Sequence, residues 1–256
     1  MIRLVTFDAL HTLITPRLPI HVQYSQAFKP HLGELDPGKL KSAFKVSLKQ
    51  LQNEYPAYAN YEGVSTSGKA QFNDPVERWW GEVVRRSAIG AGAQQELVDK
   101  HLSTIVPTLM NQFSSRAAYK FFDDALPTIT RLHEKGLHIA VISNSDSRIR
   151  SVLKDLELPA YVQPIVLSDE ERIEKPSQEI FLRAIQRVSS LINSSIQPQE
   201  CLHVGDELPS DYHGAMNAGM QAVLLRRVEE EYDSTPDEER GVRTVKTLSE
   251  ILAEVA

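Results

Sequence analysis

The stretch that decides the fold is "RLVTFDALHTLI", Arg3–Ile14. Apolar and β-branched residues run as far as Phe7, which predicts a short buried β-strand, and a single carboxylate, Asp8, follows directly. The apolar pattern then resumes at once as "ALHTLI". The question raised by this stretch is why a buried strand should end in a carboxylate.

The order of the remaining helix and strand patterns predicts the fold in which that carboxylate lies. From about residue 119 strand and helix patterns alternate, with strands in "LHIAVISNS", "YVQPIVLSDE", "ECLHVGDE" and "QAVLLRR" and a closing helix in "TVKTLSEILAEV". Such alternation predicts a parallel sheet with helices on both faces. Residues 16–115 show only four helical patterns. We therefore predict an α/β fold, a Rossmann-like doubly wound parallel sheet of residues 1–15 and 116–256 with a helical domain of residues 16–115 inserted.

Composition excludes several classes of function. The chain has 256 residues and a net charge of −6, which argues against binding to nucleic acid or to an anionic membrane surface. Its single cysteine, Cys201, precludes an intramolecular disulfide, and the chain has neither a signal-like start nor an apolar run long enough to span a bilayer. These features predict a cytoplasmic protein, with a nuclear location also open, and leave the oligomeric state undetermined.

Polar residues at the predicted strand ends form the candidate site, because parallel sheets carry ligands at the carboxyl ends of their strands. They are Asp8, Ser143, Asn144, Asp206 and, in the following loops, Lys175 and Asp211. Clustered carboxylates repel one another unless a cation lies among them, and Mg²⁺ prefers oxygen ligands. A hydroxyl and a lysine can hold phosphoryl oxygens while a carboxylate attacks phosphorus. The combination predicts Mg²⁺-assisted phosphoryl transfer on a small phosphorylated molecule.

The motifs "FDALHTL", "VISNS", "EKPSQEIF" and "GDELPSD" resemble, in this order, the four signatures of the haloacid dehalogenase (HAD) superfamily. The resemblance covers essentially the whole chain and implies a HAD-type core with an inserted helical cap of the C1 type. The tryptophan pair Trp79-Trp80 in "VERWWGEVV" is most similar to the haloacid dehalogenase-like hydrolase domain-containing protein 3 type. The resemblance implies a hydrolase, with a Mg²⁺-dependent phosphatase favoured.

The resemblance also implies a role for each matching residue. Asp8 corresponds to the nucleophile and to a metal ligand, and the backbone carbonyl of Leu10 corresponds to a second ligand. Asp206 and Asp211 correspond to residues that bind or orient Mg²⁺. The remaining matches are Thr12, which would stabilise the substrate-binding loop, Ser143 and Lys175, which would hold phosphoryl oxygens, and Asn144, which would lie beside the substrate.

The first motif departs from the family pattern Asp-x-Asp-Gly-Thr. Leu10 replaces the acid/base aspartate and His11 replaces the glycine. An imidazole is a competent acid or base near neutral pH, so His11 is a candidate for the missing role. Three functions remain open: a slow or selective phosphatase, a ligand-binding pseudoenzyme, and a 2-haloacid dehalogenase, against which the retained Asp206 and Asp211 count.

Structural interpretations compete with the functional ones at several positions. Asp211 could be only the N-cap of a helix, and Ser143 and Asn144 could be turn residues. Trp79 is expected in the core of the inserted domain, and His203 is expected to pack within its strand.

Overall fold

A computed structural model describes residues 1–55, 72–228, 234–235 and 237–255. It divides into two compact units, Met1–Thr15 with Lys120–Ala256, and Pro16–Tyr119. Residues 56–71, which the sequence analysis assigns to the inserted domain, lie outside the described residues. The predicted domain limits, residues 16 and 115, stay a prediction.

The strands confirm the predicted class of sheet. Those in the described part of the chain are β1 (Leu4–Phe7), β2 (Ile14–Pro16), β3 (Tyr119–Phe121), β4 (His138–Ser143), β5 (Val162–Leu167), β6 (Cys201–Gly205), β7 (Gln221–Leu225) and β8 (Thr244–Val245). One six-stranded sheet has the order β5-β4-β1-β6-β7-β8, and its neighbouring strands pair in parallel. A separate two-stranded sheet joins β2 and β3. Strand β1 is therefore flanked by β4 and β6, which brings three strand ends together.

Ten α-helices lie in the described ranges of the chain. They are α1 (Ile20–Leu32), α2 (Pro37–Glu54), α3 (Pro75–Gly90), α4 (Gln95–Gln112), α5 (Ala125–Glu134), α6 (Ser147–Asp155), α7 (Ser168–Glu171), α8 (Gln178–Leu191), α9 (Gly214–Asn217) and α10 (Ile251–Glu254). Helix α8 buries Ile180, Phe181 and Ala184 in one apolar cluster with Leu4 of β1 and Ile142 of β4. Burial of this apolar face holds α8 against the sheet.

The predicted closing helix is shorter than its sequence pattern suggested. Thr244 and Val245 instead form β8, in register with Leu224 and Leu225 of β7. These two β-branched residues extend the sheet by one strand, and their backbone groups form hydrogen bonds with β7. A helical turn at Leu248–Glu250 and α10 follow.

The second unit contains helices α1 to α4. Asp74 caps the start of α3 by accepting a hydrogen bond from Val76 N at 2.8 Å, and Pro75 is the first helical residue. Trp79 and Val83 are buried beside Leu51 of α2. No helix in the described ranges is long and apolar enough to cross a membrane.

Candidate active site

Asp8 lies at the carboxyl end of β1, in the centre of the large sheet. Its backbone N–H donates to Val204 O at 2.9 Å, so pairing with β6 continues up to the carboxylate. The chain then turns sharply, because the N–H groups of Leu13 and Ile14 both donate to Ala9 O at 2.9 Å. This turn holds Asp8 at the sheet edge with only 7% of the residue exposed.

Lys175 bridges two of the predicted carboxylates. Its Nζ donates to Asp8 Oδ1 and to Asp211 Oδ1, each at 2.6 Å, and all three residues are buried. Burial lowers the pKa of Lys175, but the charges of Asp211 and Asp8 outweigh that effect and hold the pKa above its usual value. The lysine is therefore a fixed cation beside the Asp8 carboxylate.

Ser143 and Asn144 lie at the end of β4, next to the strand that carries Asp8. Ser143 is buried. The side chain of Asn144 pairs with the backbone of Lys175, since its Nδ2 donates to Lys175 O at 2.8 Å and its Oδ1 accepts from Lys175 N at 2.7 Å. In this arrangement Asn144 orients the loop that carries Lys175, a role that its strand-end position alone did not indicate.

Asp206 lies at the end of β6, and Thr12 Oγ1 donates to its Oδ1 at 3.2 Å. Burial raises the pKa of Asp206 well above its usual value, and the negative charges of Asp8 and Asp211 raise it further. Burial also raises the pKa of Asp8 to about 6, although the nearby Lys175 ammonium opposes the shift. Burial thus disfavours ionisation of both carboxyl groups, and Lys175 offsets this only in part at Asp8.

Asp211 is surrounded by donors. Its Oδ1 accepts from Lys175 Nζ at 2.6 Å and lies 3.0 Å from His203 Nε2, and its Oδ2 accepts from Glu207 N at 2.9 Å. Burial alone would raise the pKa of Asp211, but Lys175 and His203 outweigh it and lower the pKa below its usual value. The alternative that Asp211 is only a helix N-cap does not describe these contacts.

Gly205 leaves the space that the Asp211 side chain occupies. A Cβ added to Gly205 would lie 2.2 Å from Asp211 Cγ, a distance at which one of the two residues must move. Gly205 is therefore required for the close approach of the carboxylate to the end of β6.

The oxygen atoms of this site suit a magnesium ion better than a metal held by side chains alone. No group of three or more His, Cys, Asp or Glu side chains in the described ranges could hold a metal ion. Mg²⁺ needs fewer side chains than that, because it keeps several waters and commonly takes one or two carboxylates. Asp8 and Asp206 fit such a site together with a backbone carbonyl such as that of Leu10, because burial raises the pKa of both carboxyl groups and the charge of Asp8 raises that of Asp206 further.

Leu10 and His11 lie in the turn after Asp8. Leu10 forms a bridge with Ile14, and His11 N donates to Ile14 O at 2.7 Å. His11 has a φ of 62°, in the left-handed region that glycine adopts most easily. Charge on His11 lowers the pKa of Asp206, although burial and the other carboxylates prevail. The predicted site residues are thus gathered at one edge of the sheet.

Thr6 and His203 were missed as parts of this site. Thr6 Oγ1 lies 2.8 Å from His203 Nδ1, and His203 Nε2 faces Asp211. The expectation that His203 merely packs within its strand was therefore incomplete. The signal was a polar residue inside each of two apolar strands, "LVTF" and "CLHVG".

The comparisons with known proteins agree with this geometry. Residues 2–219 match the family model "haloacid dehalogenase-like hydrolase". The human haloacid dehalogenase-like hydrolase domain-containing protein 3 is 27% identical over 224 residues, which cover 88% of this chain and 82% of that protein.

Solved structures share the fold. A 2-haloacid dehalogenase from Pseudomonas syringae pv. Tomato DC3000 has a TM-score of 0.59 at 22% identity, with 100% of both chains covered. A HAD phosphatase from Thermococcus onnurineus has a TM-score of 0.56 at 18% identity, with 100% of this chain and 98% of that chain covered. At these identities the likeness concerns the fold. The match of the family model over most of the chain shows that this protein belongs to the haloacid dehalogenase-like hydrolases.

Proposed function

We propose that this hydrolase is a Mg²⁺-dependent phosphatase of small phosphorylated metabolites that acts through an aspartyl phosphate on Asp8. The observation that carries the proposal is the pairing of Lys175 with both Asp8 and Asp211 at 2.6 Å, beside a third buried carboxylate, Asp206. This set offers a nucleophile, a fixed cation for phosphoryl oxygens and a place for a divalent ion.

The first chemical step uses Asp8. Its carboxylate attacks phosphorus, the bond from phosphorus to the leaving oxygen breaks, and the electron pair departs with that oxygen. Lys175 and Ser143 hold the oxygens of the transferring group, and Asn144 keeps the Lys175 loop in place through its two backbone contacts. A bound Mg²⁺ would supply charge neutralisation between the carboxylates and the phosphoryl group.

The second step returns the enzyme to its starting state. Water attacks phosphorus, the bond to Asp8 breaks, and phosphate leaves while the Asp8 carboxylate is restored. Leu10 cannot protonate the leaving oxygen or activate this water. General acid/base catalysis contributes about 10²- to 10⁴-fold, or roughly 3 to 5.5 kcal/mol of barrier. We therefore expect slow turnover on alkyl phosphates and include His11 as the candidate for the missing group.

A ligand-binding role is the second candidate, favoured by Leu10 at the acid/base position. Such a protein would use Lys175, Ser143 and Asp206 to bind a phosphorylated metabolite without turning it over. A 2-haloacid dehalogenase is the third candidate. It would use Asp8 to displace halide from carbon without a metal, which leaves the paired Asp206 and Asp211 without a purpose.

Hydrolysis of p-nitrophenyl phosphate tests the proposal, because its leaving group departs without protonation. Steady-state rates are measured with and without Mg²⁺ for the wild type and for Asp8→Asn. We expect turnover that requires Mg²⁺ and is lost in Asp8→Asn. Wild-type turnover no higher than that of Asp8→Asn would reject the phosphatase and favour the binding role. Release of halide from a 2-haloacid without Mg²⁺ would favour the dehalogenase.

A further inference from the structure

A line of buried polar groups runs from the proposed nucleophile back into the sheet. Thr6 and His203 are direct neighbours in the register of β1 and β6, and neither residue is exposed to solvent. Side chains two residues apart on a strand share a face, so Thr6 lies on the same face as Asp8. The line continues from His203 to Asp211 and from Asp211 to Lys175.

The chemistry of each group assigns the hydrogens in this line. An ionised carboxylate only accepts hydrogen bonds, and in a neutral imidazole one nitrogen donates while the other accepts. The His203 ring is fully buried, and burial favours the neutral form of an imidazole. Its Nε2 therefore donates to Asp211 Oδ1 at 3.0 Å, and its Nδ1 accepts from the Thr6 hydroxyl at 2.8 Å.

Other contacts hold the ring in this orientation. Phe181 of α8 lies edge-to-face against His203, with ring centroids 5.0 Å apart and an interplanar angle of 84°. The alternative acceptor for the Thr6 hydroxyl, Leu202 O, is 3.5 Å away, so His203 Nδ1 is the better partner. The imidazole thus has one orientation in which both nitrogens are satisfied.

A polar pair at this depth is costly, because buried polar groups lose their hydration and must be fully paired. Valine at position 6 and leucine at position 203 would suit the apolar strands on either side of each residue. Among the described residues, the charged side chain that this pair contacts by a hydrogen bond is Asp211, which itself holds Lys175. The most direct use of the pair is therefore at the active site.

We propose that Thr6 and His203 are positioning residues, in which Thr6 orients His203 and His203 holds Asp211 so that Lys175 is kept beside Asp8. The catalytic part of this inference rests on the proposed function. A positioning role predicts that loss of the His203 donor lowers kcat more than it changes KM, because Lys175 contacts the transferring phosphoryl group and not the rest of the substrate.

Variants of His203 test the catalytic part. His203→Leu removes the donor, whereas His203→Gln keeps an N–H that can reach Asp211. With p-nitrophenyl phosphate and Mg²⁺ we expect kcat to fall about tenfold in His203→Leu with KM within about twofold, and to recover in large part in His203→Gln. Cys201→Ala is the matched control, a buried change in the same strand, and should leave kcat unchanged. Equal kcat in the wild type and His203→Leu would overturn the proposal.

A second measurement does not depend on activity. ¹⁵N NMR of the full chain at pH 7 should show His203 protonated at Nε2 and not at Nδ1. Thr6→Val should move the Nδ1 resonance towards that of an imidazole nitrogen without a hydrogen bond, and Thr6→Ser should restore it. A ring protonated at Nδ1, or an Nδ1 resonance unchanged in Thr6→Val, would overturn the proposal that Thr6 orients His203 and His203 donates to Asp211. A wild type without turnover would reject the proposed function, and the NMR result would still decide whether His203 donates to Asp211.

Discussion

Leu10 lies two residues beyond Asp8, where the family pattern places its acid/base carboxylate. We expect Leu10→Asp to raise the phosphatase rate at least tenfold on an alkyl phosphate, since a general acid at this position assists departure of the leaving oxygen. Leu10→Asn is the matched control, because it has a similar shape to aspartate but cannot transfer a proton. Steady-state kinetics decide the question, and equal rates in the two variants would mean that the defect lies elsewhere.

His11 is held in a left-handed backbone conformation, with a φ of 62°. A residue other than glycine loses about 1 to 2 kcal/mol of stability in this conformation. Glycine avoids that strain but loses more conformational entropy on folding, so the net gain from glycine is smaller. We therefore expect His11→Gly to raise the free energy of unfolding by up to about 1 kcal/mol, measured by urea denaturation. Glu157, with a φ of 64°, is the matched control, and Glu157→Gly should give a similar gain.

The same His11 variant separates stability from catalysis. If His11 is the acid/base, His11→Gly should lower turnover of an alkyl phosphate while Glu157→Gly leaves it unchanged. Unchanged turnover in His11→Gly removes His11 from the mechanism. The left-handed position would then be a cost of replacing the glycine of the family pattern.

At the scale of elements, the end of β6 depends on Gly205. A methyl group there would lie 2.2 Å from Asp211 Cγ, and Asp211 is held by Lys175, His203 and the backbone of Glu207. We expect Gly205→Ala to cost about 2 kcal/mol or more of stability and to abolish Mg²⁺-dependent turnover, because the carboxylate must move and its buried partners lose a hydrogen bond.

A matched glycine controls for the substitution itself. Gly38 is exposed at the start of α2, and among the described residues its added Cβ would meet Asp36 Oδ1 alone, at 3.3 Å. Gly38→Ala should be neutral or slightly stabilising, because alanine is favoured in helices. Urea denaturation and p-nitrophenyl phosphate kinetics compare the two variants. A Gly205→Ala protein with wild-type stability and turnover would show that Asp211 can relocate without loss.

At the scale of the whole molecule, Asp206 makes stability depend on pH. Its pKa is raised above 3.8 when folded, so the folded protein binds this proton more tightly than the unfolded chain does. Stability from this group is therefore present at low pH and is lost as the pH rises from about 4 through the raised pKa. In metal-free buffer the free energy of unfolding of the wild type, relative to Asp206→Asn, should fall between pH 4 and pH 7.5. If urea denaturation gives a difference in free energy of unfolding between the two proteins that stays constant over that range, the raised pKa of Asp206 is contradicted.

Magnesium should reverse part of that loss, because a cation favours the ionised carboxylates. A ligand at about 100 times its Kd stabilises a fold by about 2.7 kcal/mol. We expect Mg²⁺ to raise the Tm of the wild type by several degrees at pH 7.5 and by less at pH 5, where Asp8, with a pKa of about 6, is largely protonated. Asp206→Asn should lose the effect, and the exposed control Asp237→Asn should keep it. Thermal unfolding with and without Mg²⁺ measures this directly.

Local patterns were enough to predict the sheet, its strand ends and the family motifs. A few consecutive apolar residues, such as "LVTF" before Asp8, are enough to predict a buried strand, and the alternation of strands with helices predicts a parallel sheet. Local pattern was less reliable at the chain's end, where Thr244 and Val245 join the sheet although they begin a helical pattern. Strand or helix there depends on whether a neighbouring edge is free, which no local window contains.

The sequence by itself determined which chemical groups the protein has at its sheet edge, because each follows a recognisable strand or motif. Only the tertiary structure decided which of them touch. Lys175 meets Asp8 across 167 positions of sequence, and Thr6 meets His203 across 197. Such pairs depend on the order and register of β1, β4 and β6, and the burial that shifts the pKa of Asp8 and Asp206 depends on the packing of the whole core.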